Sequence, residues 1–289
     1  MTYVILDLEW NGARSEKIGG YFNEIIEIGA VRLSEDGRIE DRFDAYIRPV
    51  VSRKLTRLVT NLTGITDDQV KKGVSFGQAM ESLCRFVGED AVVMTWSNTD
   101  LTVLMENCRY FYGDERIPFL SAYLDLQYYA QTRLGLGTAQ QVALSKLAEQ
   151  LELNSDEVEL HHAIDDSVLA AAIFRQVYES SSFQKAVSPV NDEFYRRLTF
   201  KPTFIREIDD PLIRRADLRF SCEVCRHNLK RVGKWQCQHR FFTAVFRCAA
   251  CGTEYIGRVQ AKRKFDGVEI KKRLIRKMAE KEQETGGAT

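Results

Sequence analysis

Long hydrophobic runs are missing from this chain of 289 residues. None approaches the ~18–20 apolar residues needed to cross a bilayer, so no membrane is expected among its partners. The opening MTYVILDLEW lacks a basic segment and meets acidic residues at once, so it does not read as a signal peptide. A soluble, cytoplasmic protein is the expectation. Internal repeats and low-complexity tracts are lacking as well, which argues against a solenoid or a disordered chain. Net charge is also absent, because 41 Lys+Arg balance 41 Asp+Glu.

That balance hides an asymmetry. Residues 1–180 carry 17 Lys+Arg against 28 Asp+Glu, a net of −11, and residues 181–289 carry 24 against 13, a net of +11. A basic half joined to an acidic half points to an anionic partner, nucleic acid first, with mutual attraction of the halves as the alternative. The seven cysteines are also uneven: five fall between 222 and 251. An odd number without a secretory signal speaks against a disulfide framework. A hydrophobic content of 44% suits one or two domains with real cores.

YVILDLEW (3–10) alternates as a strand does, with Tyr3, Ile5, Asp7 and Glu9 on one face and Val4, Leu6, Leu8 and Trp10 on the other. EIIEIGAVRL (24–33) and RFDAYIRPV (42–50) are further strand candidates. SFGQAMESLCRFVG has helical spacing, with Ser75 and Gln78 placed as a capping box. AVVMTW (91–96) is a short apolar strand, and Asp100 opens the helical LTVLMENCRYF. Cys84 and Cys108 lie on apolar helix faces and read as core packing. VALSKLAEQLEL (142–153) is another amphipathic helix. HHAIDD (161–166) leads into one with Leu169, Ile173 and Val177 on one side. The order β-β-β-α-β-α-α-α predicts an α/β domain with a mixed sheet and flanking helices. Residues 181–220 hold three of the five prolines and little periodicity, and read as a connector, with membership of the first domain as the alternative.

Asp7 and Glu9, at i and i+2 on a strand, project together. Such a pair is expensive to bury without a neutralising charge, and oxygen-only ligands favour Mg²⁺ or Mn²⁺ over zinc. Taken alone, D-x-E on a strand is more often a plain solvent-facing pair. Asp100 and either Asp165 or Asp166 also stand at the ends of regular elements, where a sheet edge can gather them. Four carboxylates can hold two metals ~4 Å apart for in-line displacement at phosphorus, and a nearby histidine can serve as general base. Spacing leaves open which histidine pairs with which aspartate. The i, i+4 relation of a continuous helix favours His162 with Asp166.

DLEW, IIEIGAV, LTGIT (62–66), TWSNTD (95–100) and HHAIDDSVLAAAIF resemble, in order and spacing, the motifs of the DEDDh 3′–5′ exonucleases, over residues 1 to about 180. The resemblance implies a ribonuclease H-like fold, two Mg²⁺ or Mn²⁺ ions, and release of nucleoside 5′-monophosphates from a 3′ end. Asp7, Glu9, Asp100 and Asp166 resemble the metal-binding acids. With Ala163 in the small position of the family's last motif, His161 rather than His162 resembles the general base. Glu27 matches an acid often present on the second strand, in a supporting role. The backbone after Glu9 and the segment 62–66 correspond to the cradle of the terminal nucleotide. The motifs look nearest to Eri-type exonucleases, which makes RNA the favoured substrate. A proofreading-type DNA exonuclease and a non-catalytic nucleic-acid-binding protein are the alternatives.

SCEVC and RCAAC give two C-x₂-C knuckles separated by 22 residues, with RFFTAVFRC alternating as a strand into the second. Cys222, Cys225, Cys248 and Cys251 are expected to hold one structural Zn²⁺ in a zinc ribbon, a closed site with no open position. Cys237, His227 and His239 are spare. Lys and Arg interleaved with Trp235, Phe241, Phe242 and Tyr255 suit phosphates and unstacked bases, although Phe242 and Tyr255 read better as ribbon core. A protein-docking role for the ribbon is the other reading. The tail KKRLIRKMAEKEQE reads as a basic amphipathic helix. The expected layout is therefore an exonuclease domain at 1–180, a connector at 181–220, a zinc ribbon at 221–262 and a basic helical tail at 263–289. Single-stranded RNA or DNA 3′ ends are the expected partner.

Overall fold

A computed structural model describes residues 2–138, 140–153 and 162–277. The chain divides into two compact units, Met1–Thr199 and Phe200–Thr289. Among the described residues no helix is long and apolar enough to cross a membrane.

The first unit opens with three long strands, β1 (Thr2–Ser15), β2 (Gly20–Leu33) and β3 (Ile39–Tyr46). The short helices α1 (Arg57–Thr63) and α2 (Asp67–Lys72) follow, then α3 (Phe76–Val87). Next come β4 (Ala91–Thr95), α4 (Thr99–Tyr112), β5 (Ala122–Asp125) and α5 (Leu126–Arg133). The unit closes with α6 (Leu144–Gln150), α7 (Ala163–Val177), α8 (Ser180–Ala186), β6 (Ser188–Pro189) and α9 (Asp192–Thr199). The sheet order is β3-β2-β1-β4-β5-β6. β1 runs antiparallel to β2 and parallel to β4, so the sheet is mixed, as expected of a ribonuclease H-like domain.

The alternation of β1 divides the core between the two faces of the sheet. Val4, Leu6 and Leu8 pack with α3 and α4, where Cys108 is buried and Cys84 partly so, while Tyr3 and Ile5 pack with α5, α6 and α7. Trp10 rests half-buried against the first of these cores. Ser75 and Gln78 form the capping box of α3.

The pairing of β1 with β2 slips just after Glu9, where a bulge leaves Ile26 without a partner across the strands. The bulge turns Ile26 into a small separate core with Ile65 and Val70. It also breaks the regular ladder beside Ile25. Buried Asn107 on α4 accepts from Ile25 N–H at 3.2 Å and donates to the Asn23 carbonyl at 2.8 Å.

The second unit begins with β7 (Thr203–Phe204) and a 3₁₀ turn at Arg215–Leu218. Four longer strands follow: β8 (Leu229–Gln238), β9 (Phe241–Cys248), β10 (Glu254–Lys264) and β11 (Gly267–Arg276). They form an antiparallel sheet in the order β11-β10-β9-β8, with β7 added to the far end of β10. The hairpin of β8 and β9 fills the gap between the knuckles. Phe242 and Tyr255 are buried in this unit's core with Phe246 and Val259.

Two expectations change here. Residues 181–220 do not stand apart as a connector. α8, β6 and α9 complete the first unit, and the residues from Phe200 onward belong to the second, where Ile205 and Phe220 are core. The tail is not helical over its described part: residues 267–276 are strand β11, paired along its length with β10. Ile270 and Leu274 stand four apart, which places them on one face of a strand as well as of a helix. Pairing with β10 and packing on the ribbon core favour the strand. The tail from 278 lies outside the described residues.

Candidate active site

Asp7 and Glu9 leave β1 on the face that packs against α7. Their cross-strand partners on β2 are Gly29 and Glu27 respectively. Asp166 comes from the first turn of α7. Carboxylate oxygens of Asp7, Glu9 and Asp166 all lie within 4.8 Å of one another. Asp100, buried in the first turn of α4, stands outside that compact group but close enough for its charge to act on Asp7 and Glu9. A hydrogen bond from Leu8 N–H holds the Asp100 carboxylate.

The electrostatics are those of crowded acids. Burial pushes Asp7 well above the usual carboxylate range, and the charges of Asp100, Asp166 and Glu9 push it further. Glu9 rises to about 8, through burial and then Asp166, and Asp100 rises to about 7, chiefly through burial. Among the described residues no Lys, Arg or His forms an ion pair with Asp7, Glu9 or Asp100. A cluster of this kind can ionise fully at neutral pH only beside an added positive charge. The donors are all carboxylate oxygens, which suits a hard divalent cation such as Mg²⁺ or Mn²⁺.

What brings Asp166 to β1 is a close approach of helix to strand. A Cβ on Gly29 would lie 2.1 Å from the Ala163 carbonyl carbon and 2.1 Å from Ile164 N. Only glycine lets the first turn of α7 rest on β2 at the residue paired with Asp7. Ser167 Oγ then donates to the Gly29 carbonyl at 3.0 Å.

Glu27 completes the attachment. Its side chain is about 1% exposed. Ala163 N–H donates to Oε2 at 2.9 Å, and His162 Nδ1 lies 3.3 Å from Oε1. His162 is thus committed to Glu27 rather than to Asp166, and its backbone carbonyl accepts from Asp166 N–H at 3.0 Å as α7 begins. His161 lies outside the described residues.

Sequence reading placed Glu27 only in a supporting role and passed over Gly29, Ser167 and Asn107. A glycine inside the strand-like EIIEIGAV is the one signal that pointed to a close backbone approach. Loop anchoring was not visible either. Buried Asn11 accepts from Thr56 N–H at 2.9 Å, and buried Glu24 accepts from Val51 and Ser52 N–H. These bonds fix the entry to α1 beside the strand that carries the acids.

The second site is the cysteine cluster. The Sγ atoms of Cys222, Cys225, Cys248 and Cys251 lie within 4.8 Å of one another, with separations of 3.6 Å for Cys222–Cys251, 3.3 Å for Cys225–Cys248 and 3.6 Å for Cys225–Cys251. Four sulfurs at about 2.3 Å from a tetrahedral zinc would be about 3.8 Å apart, so the set fits that ion with slight expansion. The two knuckles have the same backbone design. Arg226 N–H donates to the Cys222 carbonyl and Gly252 N–H to the Cys248 carbonyl, both at 2.9 Å. Arg226 and Gly252 both take the left-handed conformation, at φ 64° and 74° respectively, which turns the chain back at the end of each knuckle. The Tyr255 hydroxyl, 3.3 Å from Cys222 Sγ, draws that thiol down to about 6. Cys237, His227 and His239 are not part of the cluster.

Known proteins align with the first unit. Residues 4–174 match the family described as Exonuclease, RNase_T. The probable 3′-5′ exonuclease KapD of Bacillus subtilis (strain 168) is 30% identical over 193 residues, covering 65% of this chain and 90% of KapD. The PolC-type DNA polymerase III of Thermotoga petrophila is 28% identical over 178 residues, but this chain spans only 12% of its length. Among solved structures, the nuclease domain of 3′hExo, a DEDDh family member bound to rAMP, superposes with a TM-score of 0.53 at 24% identity, over 61% of this chain and 90% of that domain.

Proposed function

The chain belongs to the RNase_T exonuclease family, and from that premise we propose how this 3′–5′ exonuclease works and what it degrades. The observation that carries the reading is the meeting of Asp7, Glu9 and Asp166 within 4.8 Å, with Asp100 beside them. The family depends on divalent metal, and these four acids are the groups proposed to hold two Mg²⁺ or Mn²⁺ ions. Such cations, when bound, neutralise the crowded carboxylates, favour deprotonation of the attacking water and stabilise the leaving 3′ oxygen.

The protein's own residues do the rest. Asp7 and Glu9 are fixed by the strand, and Asp166 by the docking of α7 on Gly29. His161, next in the chain to the anchored His162, is proposed to take the proton from water, since an imidazole titrates near neutrality. The product is a nucleoside 5′-monophosphate and a strand one residue shorter. RNA is the proposed first substrate, a reading supported by the neighbour bound to rAMP. DNA is the second reading, favoured by the PolC-type polymerase relatives. Cys222, Cys225, Cys248 and Cys251 are proposed to hold one Zn²⁺ that folds the second unit.

Matched 5′-labelled single strands of RNA and DNA, incubated with Mn²⁺ or Mg²⁺ beside an Asp7→Ala control, test this. The expected result is a ladder shortening from the 3′ end, lost in the variant and faster on RNA. A faster DNA ladder reverses the substrate order. Intact strands with folded, metal-loaded protein overturn the catalytic reading.

A further inference from the structure

The sheet of the second unit has two faces, and only one is explained by its core. Phe242, Ala244, Phe246, Tyr255, Val259 and Ala261 point to the core side, which residues 200–220 cover through Ile205 and Phe220. The alternate residues form the other face, and strand register shows how they line up. Val232, Val245, Ile256 and Ile275 lie side by side across all four strands. None of the four belongs to the unit's core, and Val232 is 51% exposed.

Cations flank this apolar row on both sides. Lys230 is directly opposite Arg247, whose other cross-strand neighbour is Glu254, and Arg258 is directly opposite Arg273. Like charges in direct cross-strand register repel and weaken a sheet. A folded protein would ordinarily relieve such pairs with carboxylates. Glu254 is engaged by Lys277 at 3.6 Å, and among the described residues none of the four cations forms a salt bridge, whereas Arg263 and Lys271 on the same strands do. The two pairs stand four residues apart along the sheet, on the order of 13 Å. One small anion cannot neutralise both, so the arrangement calls for a chain of anions. The Arg258 guanidinium also lies 5.0 Å from the centre of the Phe241 ring, next to the apolar row. Flat apolar and cation–aromatic surfaces between phosphate-binding cations match unstacked bases on a single strand.

We propose that this face of the β8–β11 sheet is a second binding surface for single-stranded nucleic acid, in which Lys230, Arg247, Arg258 and Arg273 hold backbone phosphates and the Val232–Ile275 row with Phe241 receives bases. The surface rests on the exonuclease reading only for the identity of its ligand. An acidic protein is the competing occupant.

The test uses the full chain. Arg258→Glu places an acid opposite Arg273, so it relieves the repulsion while damaging the surface. The thermal stability and zinc content of this variant are expected to hold or rise. Its affinity for a labelled single strand of about 20 nucleotides, measured in an Asp7→Asn background to prevent cleavage, is expected to fall about tenfold or more. The double variant Arg258→Glu/Arg273→Glu is expected to flatten the slope of log affinity against log salt by about two. Arg258→Lys/Arg273→Lys should keep most of the affinity. With Asp7 intact, KM for the long strand should rise while kcat and the hydrolysis of a dinucleotide stay unchanged.

Unaltered affinity and salt slope in the charge reversals would overturn the proposal and give the face to an acidic protein. Equal losses on the dinucleotide would also overturn it, since the effect would then reach the catalytic site. Loss of strand affinity by a protein that cleaves nothing would leave the surface standing and remove the exonuclease reading instead.

Discussion

The two clusters of ligand-type side chains have opposite relations to the fold that carries them. The carboxylates of the first unit sit on a sheet whose two faces are independently packed, with the core built from residues far apart in sequence. That unit can tolerate repulsion among its acids because the surrounding apolar packing holds them in place. The cysteines of the second unit sit at the end of a small sheet with one covered face. There the cluster itself ties the two knuckles together. Metal at the first site should therefore govern chemistry, and metal at the second should govern folding.

The largest expected effect breaks the comparison at the cysteines. Cys248→Ser, or exhaustive chelation, removes binding free energy on the scale of ~10–16 kcal/mol for a structural zinc site. The second unit should lose its cooperative unfolding transition, while the transition of the first unit remains in calorimetry. A second unit that stays folded without zinc would show that its apolar core suffices and that the two clusters are not so different.

Gly29→Ala should come next. The new Cβ cannot share space with the backbone of Ala163 and Ile164, so α7 must move and carry Asp166 with it. Overpacking of this kind costs about 1–3 kcal/mol. A displacement of about 1 Å at a catalytic group can cost about 10²-fold in rate. Activity measured beside a melting curve separates the two, and near-normal turnover would mean that the helix has another way to seat.

The acid cluster should also appear in stability against pH, with a sign opposite to that of salt-bridged carboxylates. Glu9 titrates at about 8 and Asp100 at about 7 in the metal-free fold, against about 4 in an unfolded chain. The folded protein thus holds these protons more tightly. The associated stability is fully present below the unfolded pKa and is lost as pH rises through about 7 to 8. Protein freed of Mg²⁺ and Mn²⁺ but retaining zinc should melt progressively lower between about pH 5 and pH 9. Added Mn²⁺ should raise the melting temperature more at the alkaline end, and Asp100→Asn should flatten the curve. A metal-free melting temperature that rises with pH would contradict the crowding of these acids.

Much of this arrangement was legible in the sequence, for definite reasons. The period of two in YVILDLEW placed Asp7 and Glu9 on one face and the core on both. The knuckle spacing was sufficient to identify four cysteines as one group. The short α1, α2 and β5 were missed because 7, 6 and 4 residues are too few to show a period. The tail was misread because an i, i+4 pair satisfies a strand and a helix equally, and only the partner strand decides between them. Gly29 and Glu27 acquire their roles from α7, more than 130 residues away, and no local pattern records such a meeting.

The smallest expected effect sharpens the comparison from inside the first unit. Glu27 is the acid near the cluster that is held by donors of α7, Ala163 N–H and His162. Burial raises its pKa, and the Ala163 and His162 contacts pull it back. It also lies at the N-terminus of α7, where a negative charge is favoured. It therefore serves as a clamp rather than as a metal ligand. Glu27→Gln keeps the shape but turns an NH₂ group toward one of these donors, leaving a buried group unpaired at a cost of about 1–3 kcal/mol. If the clamp acts only by seating α7, kcat should fall severalfold with KM for the strand unchanged, and the apparent affinity for Mn²⁺ should weaken through Asp166. An undiminished Mn²⁺ affinity would mean that the contact of Gly29 with Ala163 and Ser167 seats the helix alone, and that Glu27 contributes to stability without positioning the acid.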